Sequence, residues 1–279
     1  MDITTGMLLS LIGILSGAYG SIVGAGGGFI FVPALLLIYN LDPVVASGTG
    51  LIIVLVNSLS GVIGYGKQKR IQYRTGLMLA IGAIPGSLIG VWLLQIYSSR
   101  LFYIVFASLL VLLGFFLFAK NSPFAKEKKG RMPVMAREGE LNTVKLDGNP
   151  SITDGSGGEN TKLEPKWIIP LGLLMGVLSS YLGIGGGWLL VPILIYFFKV
   201  STHFATATSI FSLCLYTSVG VISQIIYGNI DWEIVLWGGF GVIIGAQLGV
   251  FLSQKIPGRV IVQMLSVLLV AIGFRMFFN

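Results

Sequence analysis

Two glycine clusters hold the residues of this sequence best suited to binding a ligand through the main chain. They occupy residues 24–28 and 183–187, and each contains three consecutive glycines. Because glycine has no side chain, a ligand can approach its backbone closely. Each glycine also disfavours helix by about 1 kcal/mol, so both clusters predict helix breaks whose backbone N–H groups suit an anion. The predicted binding glycines are Gly24, Gly26, Gly27, Gly28, Gly183, Gly185, Gly186 and Gly187.

Helix packing is the competing explanation for these glycines. Gly24 and Gly28 form a pair of small residues four positions apart, which is a common motif where two membrane helices pack together. The sequence leaves both explanations open. Two other glycine series have regular four-residue spacing without a break, and we assign them to packing alone. These series are Gly82, Gly86 and Gly90, and Gly241, Gly245 and Gly249.

Nucleotide binding, metal binding and catalysis are not indicated. The clusters lack the GxGxxG spacing of nucleotide-binding loops, and no GK[ST] follows them. A single cysteine, Cys214, and a single histidine, His203, exclude a disulfide framework and a multi-histidine metal site. Asp231 and Glu233 are the only close acidic pair outside residues 120–166. We therefore expect no catalytic residue, no metal, no cofactor and no enzymatic activity.

The composition predicts an integral membrane protein. Of the 279 residues 54% are apolar and 10% are charged, whereas a typical soluble domain has about 25% charged residues. Helices of about 20 apolar residues span the roughly 30 Å of bilayer hydrocarbon. The net charge of +7 lacks the aromatic-interleaved stripes of nucleic-acid binders, so no nucleic acid is expected. The apolar runs are 5–39, 43–66, 75–96, 101–119, 167–198, 204–227, 234–254 and 260–278.

The chain contains an internal repeat. When residues 13–118 are shifted by 159 positions, roughly 30 residues are identical and no gap is needed. Duplicated halves are common in transporters. We therefore divide the chain into a first transmembrane repeat (1–119), a polar linker (120–166) and a second transmembrane repeat (167–279). The linker holds nine Lys and Arg and seven Asp and Glu, which predicts a flexible cytoplasmic tether.

The charges of two equivalent loops indicate that the halves are inverted. Residues 67–74 carry four positive charges, whereas their counterparts, residues 226–233, carry two acids and no base. Positive loops lie on the cytoplasmic side, which places these two loops on opposite sides. The inverted arrangement puts 16 of the 18 Lys and Arg inside and a parallel arrangement puts 14 inside. The count alone leaves both arrangements open, and the contrast between the loops favours inversion.

Inversion predicts an all-α membrane protein in which each half is a broken helical hairpin followed by three transmembrane helices. The run 5–39 has 35 residues and would measure about 52 Å as one straight helix, too long for a bilayer. A hairpin broken at the glycines returns the chain to its starting side. Pro33 and Pro192 follow the two breaks, and we expect each in the first turn of the returning helix.

Polar residues near the breaks complete the predicted site. Their hydroxyl and amide groups are expensive to bury in lipid unless they bond another helix or a ligand. For the hydroxyls, bonding to a helix and lining the cavity remain equally open, whereas an amide favours a polar cavity. The candidates are Thr49, Asn57, Thr208 and Ser209.

The two motifs, GAGGGFIFVP at 24–33 and GIGGGWLLVP at 183–192, resemble those of the TauE/SafE sulfite-exporter family. The resemblance covers both halves and implies a multi-pass transporter of the inner (plasma) membrane. It implies as substrates small sulfur-containing anions, namely sulfite, sulfoacetate or related sulfonates. We expect export by alternating access at a midplane site between the breaks. An uptake permease for an organosulfonate or small carboxylate is the alternative, and the oligomeric state is not predicted.

Overall fold

The computed structural model describes residues 2–96, 99–121 and 165–277, and these residues form ten helices. Nearly all of the predicted linker, residues 122–164, lies outside the described residues. The helices follow the apolar runs of the sequence to within a few residues. They are α1 (Ile3–Val23), α2 (Gly28–Leu37), α3 (Pro43–Lys67), α4 (Tyr73–Ile96), α5 (Ser99–Asn121), α6 (Pro165–Leu182), α7 (Gly187–Tyr196), α8 (Thr202–Tyr227), α9 (Trp232–Ser253) and α10 (Gly258–Phe277).

Seven of these helices are long and apolar enough to cross a membrane, namely α1, α3, α4, α5, α8, α9 and α10. The helices α2 and α7 have ten residues each and measure about 15 Å, half the thickness of the hydrocarbon layer. Large apolar side chains face outward all around the bundle, including Leu112, Ile226 and Leu236. A surface of this kind requires lipid around it. The chain is a multi-pass, all-helical membrane protein over its described residues.

The internal repeat extends to the helices. The helices α7, α8, α9 and α10 each begin 159 residues after the start of α2, α3, α4 and α5, respectively. The helices α1 and α6 correspond in the same way at their last residues, Val23 and Leu182. Each half is therefore a first helix, a break, one short helix and three long helices.

The glycine series join the two halves, as the sequence predicts. Gly241 lies against the carbonyl oxygen of Ser10, and Gly249 lies against that of Ala18, so α1 and α9 run parallel in close contact. The helices α6 and α4 pack in the same way. A side chain at these positions would collide with the backbone of the neighbouring helix. The first helix of each half is therefore held by the fourth helix of the other half.

The equivalent helices α3 and α8 lie side by side at the centre and run antiparallel. Gly61 packs against Ile210, while Leu51 packs against Gly220 near the opposite end of the pair. Residue numbers thus rise along α3 as they fall along α8. The pair α5 and α10 is antiparallel too. Inverted repeats predict that equivalent helices run in opposite directions.

The bundle has two ends with different loops. The Thr208 hydroxyl near the start of α8 accepts a hydrogen bond from the Gln72 N–H at 3.1 Å, and Gly258 of α10 packs on Thr202. We call this end the basic end; its loops are 68–72, 197–201 and 254–257. The opposite, acidic end contains loops 38–42 and 228–231, and the Thr49 hydroxyl there accepts from the Asp231 N–H at 3.0 Å.

The charged side chains separate between these ends. Outside 120–166 the basic end carries seven of the nine Lys and Arg residues, and the acidic end carries all four Asp and Glu residues. The basic-end residues are Lys67, Lys69, Arg70, Arg74, Lys199, Lys255 and Arg259. The acidic-end residues are Asp2, Asp42, Asp231, Glu233, Arg100 and Arg275.

Candidate functional site

The first break joins α1 to α2 through backbone that only glycine adopts easily. Gly24 ends α1 with φ of +82°, and Gly26 and Gly27 have φ of +82° and +79°. This is the left-handed region, where a Cβ atom is strained. The Gly20 carbonyl accepts hydrogen bonds from the three N–H groups that follow α1, at 2.9, 2.9 and 3.3 Å. The chain therefore turns sharply, and Gly27 comes to rest against Ser16 of α1.

The second break, between α6 and α7, repeats this turn with one difference. Gly183 and Gly185 have φ of +69° and +75°. Gly186, the counterpart of Gly27, has φ of −84° instead of a left-handed value. Its N–H donates a hydrogen bond to the Tyr216 hydroxyl at 3.0 Å.

The prolines lie later in the short helices than the sequence analysis predicts. The helix α2 starts at Gly28 and α7 starts at Gly187, so Pro33 and Pro192 are each the sixth helical residue. The expectation of first-turn prolines is therefore wrong. The physical reason is that the left-handed or turn glycines before each helix complete the reversal, and the helix begins immediately after them.

The two breaks meet in the centre of the bundle. Gly187 lies against the Gly24 carbonyl oxygen, and a Cβ atom on Gly185 would lie 3.0 Å from the Ala25 carbonyl oxygen. The side chains of Val54 and Leu213, from α3 and α8, touch both breaks. Every residue in 20–29 and in 179–188 is buried. The breaks are therefore closed off from the surroundings in this conformation.

Hydroxyl groups donate to some of the carbonyl groups in and beside the breaks. The Ser209 hydroxyl donates to the Gly24 carbonyl at 2.8 Å, and the Ser16 hydroxyl donates to the Gly27 carbonyl at 2.6 Å. At the second break, the Ser47 hydroxyl donates to the Tyr181 carbonyl at 3.0 Å. These contacts satisfy three carbonyl oxygens with hydroxyl donors.

Several donors at the breaks have no acceptor within the described residues. They include the backbone N–H groups at the starts of α2 and α7, which carry the positive ends of the helix dipoles. They also include the fully buried Asn57 Nδ2 and Trp188 Nε1 groups. A buried donor without an acceptor costs about 1–3 kcal/mol. These unpaired donors favour an anionic ligand.

The structure brings some of the predicted polar residues to the breaks and leaves others at the loops. Ser209 bonds the first break, and Asn57 is linked to the end of α1 through Ser21, whose hydroxyl donates to Asn57 Oδ1 at 3.2 Å. Thr49 and Thr208 are equivalent in the repeat, and each instead accepts a backbone N–H from a loop between helices. Their hydroxyls thus fasten the loops.

Sequence reasoning missed three residues that contact the breaks. Ser16 bonds the Gly27 carbonyl, Tyr216 bonds the Gly186 N–H, and the Ser58 hydroxyl lies 3.7 Å from where a Cβ of Gly26 would be. Tyr216 stands at the position equivalent to Asn57. Comparing the differences between the repeats, rather than the identities alone, would have revealed it.

Metal chemistry finds no support in the described part of the chain, where no three His, Cys, Asp or Glu residues form a group that could hold a metal ion.

The fold and the site together define a class of protein: a membrane transporter built from two related halves, with broken helices meeting at its centre.

Comparisons with known proteins identify the family. The model of the sulfite exporter TauE/SafE family matches residues 9–276, and the chain belongs to this family. It is 29% identical over 283 residues to the probable membrane transporter protein YunE of Bacillus subtilis, covering 98% of this chain and 97% of that protein. The probable membrane transporter protein MJ0441 of Methanocaldococcus jannaschii is also 29% identical, over 96% of this chain and 94% of its own. No solved structure matches significantly.

Proposed function

We propose that this transporter exports small sulfur-containing anions, namely sulfite, sulfoacetate or related sulfonates. The observation that carries the proposal is the group of buried donors without an acceptor where the two breaks meet. The N–H groups of the first two residues of α2 and of α7, with Asn57 Nδ2, have no acceptor within the described residues. The oxygens of sulfite and sulfonates are strong hydrogen-bond acceptors, and charge-assisted hydrogen bonds are roughly twice as strong as neutral ones.

The proposed site binds its anion without a full counter-charge. No Lys or Arg occurs in residues 20–29, 54–58, 179–188 or 209–217. Binding therefore depends on hydrogen bonds and helix dipoles, and a moderate affinity suits release on the other side. The proposed binding residues are Gly24, Gly26, Gly27, Gly28, Gly183, Gly185, Gly186, Gly187, Asn57 and Ser209.

We propose that substrate passes by alternating access around this site. Two observations support the proposal: both breaks are buried, and α3 and α8 cross them as an antiparallel, equivalent pair. Halves related by inversion can exchange conformations, so that one rocking motion opens the site first to one side and then to the other. The antiparallel pairings of α3 with α8 and of α5 with α10 support an inverted topology.

The charge separation supports an orientation in the plasma membrane. Because Lys and Arg concentrate on the cytoplasmic side, we propose that the basic end faces the cytoplasm. The helix α5 ends and α6 begins at this end, so the polar linker 120–166 is then cytoplasmic as well. With this orientation α1 begins and α10 ends on the outer side.

The membrane potential alone can drive the proposed export. Moving one negative charge outward across an inside-negative membrane releases about 2.3 kcal/mol per 100 mV. No Asp or Glu lies within the described parts of the seven membrane-crossing helices away from their ends. The groups that usually relay protons in coupled transporters are therefore lacking in those segments.

Flux through proteoliposomes tests the proposal directly. Purified protein is reconstituted, and efflux of sulfite, sulfoacetate and sulfate is measured with and without an imposed voltage. We expect efflux of sulfite or sulfoacetate that rises when the compartment facing the basic end is made negative. A protein that moves neither sulfite nor sulfoacetate contradicts the proposed substrate class. Voltage-independent flux contradicts export driven by the membrane potential.

A further inference from the structure

The two breaks are equivalent in the repeat, but their side-chain surroundings differ. Asn57 of α3 and Tyr216 of α8 are equivalent residues. The Tyr216 hydroxyl accepts the Gly186 N–H at 3.0 Å. The Asn57 side chain is shorter than that of Tyr216. Its Oδ1 accepts a hydrogen bond from the Ser21 hydroxyl, and its Nδ2 has no acceptor within the described residues. A side chain therefore caps the start of α7, while the equivalent side chain at α2 keeps a free donor.

The neighbouring positions follow the same pattern. Thr217 of α8 donates its hydroxyl to the Leu213 carbonyl of its own helix at 2.6 Å. Its equivalent on α3, Ser58, is fully buried, and its hydroxyl has no partner in the described chain. Ser58 Oγ lies 3.7 Å from the position of a Cβ atom on Gly26. The unused hydroxyl is therefore beside the first break.

A third equivalent pair repeats the contrast. The Ser47 hydroxyl donates to carbonyl oxygens at the end of α6. Its equivalent, Thr206, packs on Gly24, and the Thr206 hydroxyl has no partner among the described atoms. At these three pairs of equivalent positions the side chain at the second break is bonded within the protein and the one at the first break is not. The second break has two unpaired groups of its own, Ser179 Oγ and Trp188 Nε1, whose equivalents at the first break are Gly20 and Phe29. Buried polar side chains are normally hydrogen-bonded, so the unpaired groups around the breaks indicate a ligand.

We infer that the contacts of the two central helices with the transported anion are one-sided: Asn57 and Ser58 of α3 donate hydrogen bonds to it, and Tyr216 and Thr217 of α8 do not touch it. Tyr216 acts as an internal cap that satisfies the Gly186 N–H in place of the anion. The anion is accordingly held closer to the first break, against the start of α2. This inference rests on the proposed function, because it assigns donors to an anion bound between the breaks.

The first experiment compares hydroxyl removal at equivalent positions. Wild type, Ser58→Ala and Thr217→Ala are purified in detergent, and the dissociation constants of sulfite and sulfoacetate are measured from ligand-induced thermal stabilisation. A hydrogen bond to a charged group is strong enough that its loss weakens binding about tenfold or more. We expect this loss in Ser58→Ala and a dissociation constant within about twofold of wild type in Thr217→Ala.

The second experiment exchanges the cap. Asn57→Tyr gives the first break the side chain that Tyr216 provides at the second break. We expect this variant to show no thermal stabilisation by either anion. Tyr216→Phe removes only the hydroxyl that caps Gly186. We expect it to lower the melting temperature of the unliganded protein and to leave the dissociation constants within about twofold of wild type.

The outcomes separate the two proposals. If wild-type protein neither binds nor transports any anion tested, the proposed function fails. If wild type binds, but Ser58→Ala and Thr217→Ala weaken binding equally, or Tyr216→Phe weakens it as much as Ser58→Ala, the one-sided site is wrong and the proposed function stands. Should Asn57→Tyr fail to fold, the comparison of Ser58 with Thr217 still decides.

Discussion

Replacing Gly187 with alanine tests whether the two breaks meet. Gly187 is the first residue of α7, and its φ is not in the left-handed region, so its backbone accepts alanine. The added methyl group would lie 2.8 Å from Ser209 Oγ and 2.9 Å from Ala25 Cα, and closer still to the Gly24 carbonyl oxygen. The effect of the substitution is therefore steric and falls on contacts between the halves.

The magnitude follows from these distances. Non-bonded carbon atoms prefer a separation of about 3.5–4.0 Å, so a methyl group at 2.9 Å from Ala25 Cα moves the breaks apart by roughly 0.6–1 Å. Overpacking of this kind costs about 1–3 kcal/mol. We expect Gly187→Ala to lower the unfolding free energy by this amount and to reduce anion flux at least tenfold, because the donors no longer converge.

Gly239 of α9 provides the matched control, since nothing lies within 4 Å of a Cβ atom placed there. Unfolding in denaturing detergent measures stability, and proteoliposome efflux measures transport. Gly239→Ala should leave both unchanged or raise stability slightly. Wild-type stability and flux in Gly187→Ala would show that the breaks are not in contact, and the site described here would be wrong.

Four further outcomes are expected. Valine at Gly27 or Gly186 abolishes anion flux but leaves folded protein, and full flux in either variant would discredit the glycine site. Gly17→Ala places a methyl group 2.5 Å from a carbonyl oxygen of α9, and we expect this overpacking to lower the unfolding free energy by about 1–3 kcal/mol. Unchanged stability in the same detergent assay would contradict the packing of α1 on α9. Asp231→Ala removes the carboxylate that accepts a hydrogen bond from the N–H of residue 234 and so caps the start of α9. We expect the unfolding free energy to fall by about 1 kcal/mol, and a fall of less than a few tenths of that amount would contradict the capping role. A reporter fused after Asn279 is active outside the cell, and a cytoplasmic signal there excludes the proposed orientation.

The helix boundaries and breaks were predictable from the sequence because their physical causes are local. Runs of about 20 apolar residues set helix length through bilayer thickness, and three glycines interrupt a helix whatever surrounds them. The packing role of Gly241 and Gly249 followed from four-residue spacing, which places small residues on one helix face. The comparison of repeats located each feature twice.

The polar contacts were not predictable, because they depend on how each helix is rotated. Thr208 and Ser209 are adjacent in sequence but point about 100° apart around α8. Thr208 consequently bonds a loop and Ser209 bonds the first break. Hydropathy, which is similar for both residues, carries no information about this difference. Which hydroxyl faces which break is determined only when α3 and α8 pack together.

The exchange of partners between the halves has a consequence for biosynthesis. Gly241, which packs against the Ser10 carbonyl oxygen, lies 231 residues after Ser10 in the chain. At about 5–20 residues per second, the ribosome needs tens of seconds to deliver α9 after α1 has emerged. During that time the glycine-lined face of α1 has only lipid or insertion machinery beside it. The packing of the first half is therefore completed only after α9 enters the membrane.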